Sequence, residues 1–490
     1  MSNFLTRASR TALLATMATL ALGSGADAET LELSPCRIDA GSAIPTAKAM
    51  CGKFKVPEDY AAPEGRHIQL NVAWIPALSV DPKGDPLVFF AGGPGQGAIE
   101  TYLIARGAFE PIRQDRPILL VDQRGTGDSN LMTCPLPDPQ SMADSSIEDV
   151  APMVRECLDQ LPGDPRFYTT SVAALDLDQL RQALNIEQLN LWGGSYGTRM
   201  ALHYMRQFPE HTRSVIIDGV APADFLLGPE IATDAQKSAD ALFDRCSETP
   251  ACADRFGDLG EKLRAVKARL SDTPVTITIN HPRTGEPSEQ IINADVLAAV
   301  VRLSIYSPTM RALLPTIIDQ AHSERYELIG AQSANISENF IDSMAMGMHN
   351  AVVCTEDAPF YGSERDPTLA DTFIGESQLE FIIETCAHWP AGVIDDGFKE
   401  PVVSDIPVLL LSGEMDPVTP PSNAEHALAT LSNARHIVAP GQGHIVSGTG
   451  CIPRLMDQFV DSTLPGELDP TCTERLRSMP IFVGPAGPTP

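Results

Sequence analysis

Ser195 stands in Gly193-Gly194-Ser195-Tyr196-Gly197, entered from the apolar run Leu189-Asn190-Leu191-Trp192 and left into a helical pattern over Thr198–Phe208. Strand, sharp turn and helix in that order lift a serine hydroxyl above the end of a sheet, while the glycines leave room for backbone and substrate. The G-x-S-x-G pattern alone is weak, since ordinary Gly and Ser frequencies give roughly 0.2 chance copies in a chain of this length. The flanking strand and helix make it a nucleophile rather than an ordinary turn serine. A serine hydroxyl needs a base to take its proton and a carboxylate to orient that base. His444, in Gly441-Gln442-Gly443-His444 just past the strand-like Arg435–Val438, is the expected base. Asp416 follows the strand-like Pro407–Leu411 through Ser412-Gly413-Glu414-Met415 and is the expected acid, with Asp218 and Glu414 as rivals.

Acyl transfer also needs donors aimed at a developing oxyanion. The elbow itself supplies the Tyr196 N–H. The loop Ala91-Gly92-Gly93-Pro94-Gly95-Gln96-Gly97 supplies the second donor. Pro94 cannot donate, so the Gly93 N–H is the candidate. Phosphate binding is the rival reading of this loop, but it lacks the Lys of a P-loop and the G-x-G-x-x-G spacing. No cofactor is called for.

The elements around these residues are of two kinds. Short, nearly continuous apolar runs at Leu70–Leu78, Pro86–Ala91, Pro117–Asp122, Leu189–Trp192 and Ser214–Asp218 read as strands buried on both faces of a mostly parallel sheet. They alternate with helical patterns such as Leu175–Leu184, which is an α/β arrangement with helices on both faces. From Ala223 to Glu400 amphipathic stretches dominate, including Asp234–Cys246 and Leu259–Leu270. One strand-like excursion, Val275–Asn280, precedes a turn at Pro282-Arg283-Thr284-Gly285. The α/β pattern then returns with Pro407–Leu411, a helix over Ser422–Leu431, Arg435–Val438 and a helix over Ile452–Phe459. The expected organisation is a signal peptide over 1–28, catalytic segments over 29–222 and 401–479, a mainly helical cap over 223–400 and a loose tail over 480–490.

Arg7 and Arg10, then an apolar run from Thr11 to Leu22 and Ala26-Asp27-Ala28, have the layout of a cleavable export signal, with a mature start near Glu29. The run is shorter than the about 20 residues that span a bilayer. Secretion or a periplasmic location follows, with no membrane association after cleavage. The remaining length of about 460 residues exceeds what one hydrophobic core usually covers. A formal net charge of −29 repels phosphate backbones and anionic lipid, which argues against nucleic-acid and membrane-surface partners. Ten cysteines in an exported chain read as disulfides, and none has the C-x-x-C spacing of a zinc or redox site, so no metal is expected. Pairing neighbours in sequence (Cys36 with Cys51, Cys134 with Cys157, Cys246 with Cys252, Cys354 with Cys386, Cys451 with Cys472) is the simplest of about 900 possible connectivities.

Phe90-Ala91-Gly92-Gly93-Pro94-Gly95-Gln96-Gly97, Val121-Asp122-Gln123-Arg124-Gly125-Thr126-Gly127-Asp128-Ser129, Gly193-Gly194-Ser195-Tyr196-Gly197-Thr198 and Gly413-Glu414-Met415-Asp416 together resemble the prolyl and tripeptidyl aminopeptidases among the serine α/β-hydrolases. The order Ser195, Asp416, His444 is the one expected of that fold. Both catalytic segments carry the resemblance, whereas the cap shares only its position and Ala351-Val352-Val353-Cys354-Thr355-Glu356-Asp357. Ala91 departs from the family, where His usually precedes Gly-Gly-Pro-Gly, which weakens the proline-specific reading. Arg124 reads as a brace between loops. The resemblance implies Ser-His-Asp release of residues from peptide N-termini. Such an exo-peptidase must meet the substrate ammonium with a carboxylate. Glu356 and Asp357 are the cap's candidates, with solvation or helix capping as the plain alternative. An esterase or amidase acting on small non-peptide substrates is the alternative within the same chemistry. A non-catalytic secreted binding protein is the alternative of another class.

Overall fold

A computed structural model describes residues 31–40, 46–134, 147–337, 343–363, 366–484 and 487–488. The expected signal peptide and the mature start near Glu29 lie outside the described residues.

The strands are β1 (Ser34–Ile38), β2 (Ala47–Pro57), β3 (His67–Ile75), β4 (Leu87–Phe90), β5 (Ile118–Val121), β6 (Leu189–Gly194), β7 (Thr212–Asp218), β8 (Val275–Asn280), β9 (Pro287–Ile292), β10 (Val408–Gly413) and β11 (Ala434–Ala439). Nine of them form one sheet in the order β1-β2-β3-β5-β4-β6-β7-β10-β11. From β5 through β11 every neighbour is parallel, and β1, β2 and β3 join antiparallel at one edge. The central strands are legible because they are buried on both faces; in β6 and β10 every residue is buried. β1 and β2 were not foreseen. β2 alternates exposed Lys53 and Lys55 with buried Phe54 and Val56, so it lacks the continuous apolar run of a central strand.

Alternate residues of each strand enter opposite cores. Val88, Leu119, Leu191, Val215 and Leu410 pack with helices Thr170–Ala183 and Tyr196–Gln207. Phe89, Leu120, Trp192, Ile216 and Leu409 pack on the other face with helices Ala98–Ala105 and Ile452–Ser462. Each fully buried Leu or Phe contributes about 1.5–3 kcal/mol relative to exposure.

Between β7 and β10 the chain leaves the sheet. Helices Ile231–Glu248, Leu259–Asp272, Ala294–Tyr306 and Pro308–His322 build a separate core around Leu242, Leu263, Val301 and Ile318. The strand-like Val275–Asn280 has an antiparallel partner, β9, whose polar alternation hid it. The later part of this insertion belongs elsewhere. Met348, Ala351, Val352, Cys354 and Trp389 are buried with the sheet's own core, because helix Met346–Val352 turns its apolar residues downward rather than to the cap helices.

The expected loose tail over 480–490 is corrected over its described part. Ile481 is buried in the cap core, the Phe482 N–H donates to the Ala312 carbonyl, and Thr316 Oγ1 donates to the Phe482 carbonyl. Apolar side chains among the prolines and glycines dock the segment. The structure pairs Cys36–Cys51, Cys134–Cys157, Cys246–Cys252, Cys354–Cys386 and Cys451–Cys472, accounting for all ten cysteines. Among the described residues no helix is long and apolar enough to cross a membrane.

Candidate active site

β6 ends in the turn that carries Ser195, whose φ of 56° and ψ of −123° lie in a region that non-glycine residues rarely occupy. The turn closes because its neighbours are glycines. A Cβ on Gly193 would lie 2.1 Å from the Gly197 carbonyl oxygen, and one on Gly197 would lie 2.4 Å from that of Phe90. The Ser195 N–H donates to the Asp218 carbonyl at 2.9 Å, tying the elbow to the end of β7. Tyr196 opens helix Tyr196–Gln207, so its N–H has no acceptor within that helix. Gly93 and Tyr196 line the same cavity as Ser195.

Asp416 follows β10 and is buried. Its Oδ1 accepts from the Val418 and Thr419 N–H groups at 2.9 and 3.0 Å, and its Oδ2 accepts from Thr419 Oγ1 at 2.9 Å. His444 Nδ1 lies 2.7 Å from the same Oδ2 and 3.2 Å from Thr419 Oγ1. The His444 N–H donates to the Tyr306 carbonyl at 3.0 Å, and the two rings meet edge to face at 5.1 Å. The cap therefore holds the histidine loop from above. Burial depresses the imidazole pKa, but the charge and hydrogen bond of Asp416, aided by Asp218, outweigh burial and the opposing Arg302, so it rises above its ordinary 6.5.

The two rival acids have other partners. Asp218 is fully buried and accepts from the Val446 N–H at 2.8 Å and from the Ser447 N–H and Oγ, each at 2.6 Å. Burial pushes its carboxyl up to about 6 against the pull of those donors. Glu414 Oε2 accepts from the Gly441 N–H at 2.7 Å. Of the three carboxylates, Asp416 alone is hydrogen-bonded to the imidazole.

Ser195 and His444 both line a cavity of about 570 Å³ walled by Trp192, Phe225, Met344 and Phe381. Asp357, itself fully buried, lies in its wall as well, whereas Glu356 is not among the lining residues. Glu356 is fully buried: it accepts from the Thr170 N–H at 2.7 Å and Thr170 Oγ1 at 2.9 Å, at the start of helix Thr170–Ala183, and from Arg199 at 3.3 Å. Its placement beside the substrate is thereby corrected to that of a helix cap and ion-pair partner. Asp357 accepts from Arg199 at 2.8 and 3.1 Å and from Lys399 Nζ at 2.8 Å. Burial and the neighbouring Arg199 bring Lys399 down to about 8, against the pull of Asp357. Arg124 is buried on Asp176 and on the carbonyls of Pro57, Glu58 and Phe167, as a brace between loops. Among the described residues no cluster of His, Cys, Asp and Glu is arranged to hold a metal ion.

Sequence reasoning passed over Thr419, Arg199, Lys399, Tyr306 and Arg302. Thr419 had a signal, since Asp416-Pro417-Val418-Thr419 places a carboxylate before two backbone donors and a hydroxyl, as in an Asx-type turn. Arg199 lies on the elbow helix, but its carboxylate partners are distant in sequence, and Lys399, Tyr306 and Arg302 are separated from the elbow by long stretches of chain and carry no local signature.

A family model described as alpha/beta hydrolase fold matches residues 85–246, and one described as TAP-like protein matches residues 371–472. With the mostly parallel sheet and its elbow, these matches show that the chain has the α/β-hydrolase fold. It is 25% identical over 495 residues to serine protease Hip1 of Mycobacterium tuberculosis, covering 90% of this chain and 89% of that protein. The tripeptidyl aminopeptidase of Streptomyces coelicolor is 30% identical over 189 residues, 35% of either chain. A probable proline iminopeptidase of Leptolyngbya boryana is 31% identical over 142 residues, 29% of this chain and 33% of that one. The resemblance to the prolyl and tripeptidyl aminopeptidases thus extends beyond the motifs.

Proposed function

We propose that this chain is an exported serine exo-peptidase that releases residues from peptide N-termini through an acyl-enzyme on Ser195. The observation that carries the reading is His444, paired with buried Asp416 at 2.7 Å and lining one cavity with a serine on a strained elbow. His444 takes the Ser195 proton as Oγ attacks the scissile carbonyl, and the Gly93 and Tyr196 N–H groups meet the oxyanion. The imidazolium then gives its proton to the leaving amine as the C–N bond breaks. Water, deprotonated by the same imidazole, hydrolyses the ester. Asp416 stays ionised throughout and fixes the tautomer, with Thr419 positioning both partners.

Asp357 is the carboxylate for the substrate ammonium. Its Oδ2 accepts from Arg199 alone among the described residues, which leaves a lone pair, and a carboxylate offers about four acceptor positions in all. The names of the relatives support peptide substrates, and five disulfides support an oxidising compartment. The test is fluorophosphonate labelling of Ser195 with a panel of chromogenic amino-acyl, tripeptidyl and ester substrates, with free and blocked amines. Labelling with preference for free-amine peptides is expected. Ester turnover without peptide turnover would make it an esterase, and absence of labelling would make it a binding protein.

A further inference from the structure

Most buried arginines in this molecule sit on carboxylates. Arg116 meets Asp85 and Asp461, Arg124 meets Asp176, Arg181 meets Asp178, and Arg199 meets Glu356 and Asp357. Arg302 is different. It lines the cavity that holds Ser195 and His444, and among the described residues no carboxylate comes within the 4.0 Å that defines an ion pair with it. Its Nη2 donates to Tyr306 Oη at 3.1 Å, its guanidinium lies 5.8 Å from the Tyr306 ring centroid, and its Nε is buried without a hydrogen-bond partner among the described residues. Among the described residues Arg311 also lacks an acid, but it donates to the Gly441 carbonyl and does not line the cavity. A half-buried cation with an unused donor is costly unless something meets it. In a chain with 64 acidic and 35 basic residues, an acid could readily have been placed beside it.

Position indicates what meets it. Tyr306, on which Arg302 rests, packs against the His444 ring and accepts the His444 N–H. In acyl transfer the histidine that takes the serine proton returns it to the leaving amine, so the leaving group departs along that face. Asp357, proposed for the ammonium, is bound to Arg199 on the helix that follows the elbow. We propose that Arg302 is the subsite for a carboxylate on the leaving group, so that the favoured substrates are short peptides carrying a carboxylate close to the scissile bond. That group is either the free C-terminus of a short leaving segment or an acidic side chain at its first residue. The forked guanidinium suits it as a planar, two-donor partner. This inference rests on the peptidase reading and adds the leaving-group specificity to it.

The test compares three peptides that share one free-amine acyl portion and differ in the leaving residue: Ala with a free carboxylate, Ala amide, and Asp amide. Wild type, Arg302→Gln and Arg302→Lys are compared by the ratios of kcat/KM within each protein, with a thermal melt for folding. Wild type is expected to favour a carboxylate-bearing leaving group over Ala amide roughly ten- to hundred-fold, as a charge-assisted pair gives. Arg302→Gln should bring the ratio near one through KM, and Arg302→Lys should keep part of it. Preference for free Ala over both amides would assign a C-terminal carboxylate, and equal preference for Asp amide would assign the side chain. A wild-type ratio near one, or a ratio unchanged in Arg302→Gln, would overturn the subsite while leaving the peptidase reading intact. Failure of all three peptides with ester turnover retained would overturn both.

Discussion

Asp218→Asn separates the carboxylate that supports the histidine loop from the one that acts on the imidazole. Asp218 gathers two backbone N–H groups and the Ser447 hydroxyl, and Ser447 in turn accepts the Trp192 indole N–H at 2.9 Å. An asparagine has one acceptor oxygen, and its NH₂ would face one of those donors. A buried donor left without an acceptor costs about 1–3 kcal/mol, offset in part because a buried charge is removed. The same charge helps to raise the His444 pKa. Its loss lowers that pKa, so the neutral base persists to lower pH and the acid limb of kcat/KM, which reports the free enzyme, moves toward acid. In wild type the midpoint of that limb should lie above 6.5. A kcat/KM pH profile on a chromogenic ester, with a thermal melt, measures both effects. The high-pH plateau should stay within about tenfold of wild type, whereas Asp416→Asn should lose about 10⁴ through the wrong tautomer. A plateau loss for Asp218→Asn as deep as that for Asp416→Asn would move the acid to Asp218, and an unmoved limb would refute the electrostatic link.

Three further outcomes are expected. Ser195→Ala should abolish turnover by roughly 10⁴ to 10⁶ with little change in melting temperature, and activity within tenfold of wild type would refute the nucleophile. Asp357→Asn should depress kcat/KM for free-amine peptides far more than for blocked ones. Glu356→Gln, at a buried helix cap, should instead lower stability by about 1–3 kcal/mol and affect both substrate types alike, so a reversed pattern would exchange their roles. Replacing Cys451 and Cys472 by Ser removes the bridge anchoring the chain beyond His444 and should cost about 3 kcal/mol, read by chemical denaturation, with an unchanged unfolding free energy contradicting it.

Much of this architecture is local in origin, and that is why a single sequence carries it. Strands buried on both faces must be apolar throughout, so β4, β5, β6, β7 and β10 announce themselves, and a strained turn between strand and helix demands glycines at fixed offsets around Ser195. The positions of Asp416 and His444 follow from the same rule, since each lies just past a recognisable strand. What the sequence by itself left undetermined depends on distance in space. Half-exposed β1, β2 and β9 form only because a partner strand supplies their hydrogen bonds. The choice among Asp416, Asp218 and Glu414 turns on which carboxylate the folded loops bring to Nδ1, because all three lie at the carboxyl edge of the sheet. Glu356 and Asp357, adjacent in sequence, part company only in three dimensions: one closes a helix start and the other lies, buried, in the cavity wall. Arg302 gains significance only from the lack of an acid beside it among the described residues, and that lack is a property of packing in space, which no residue pattern encodes.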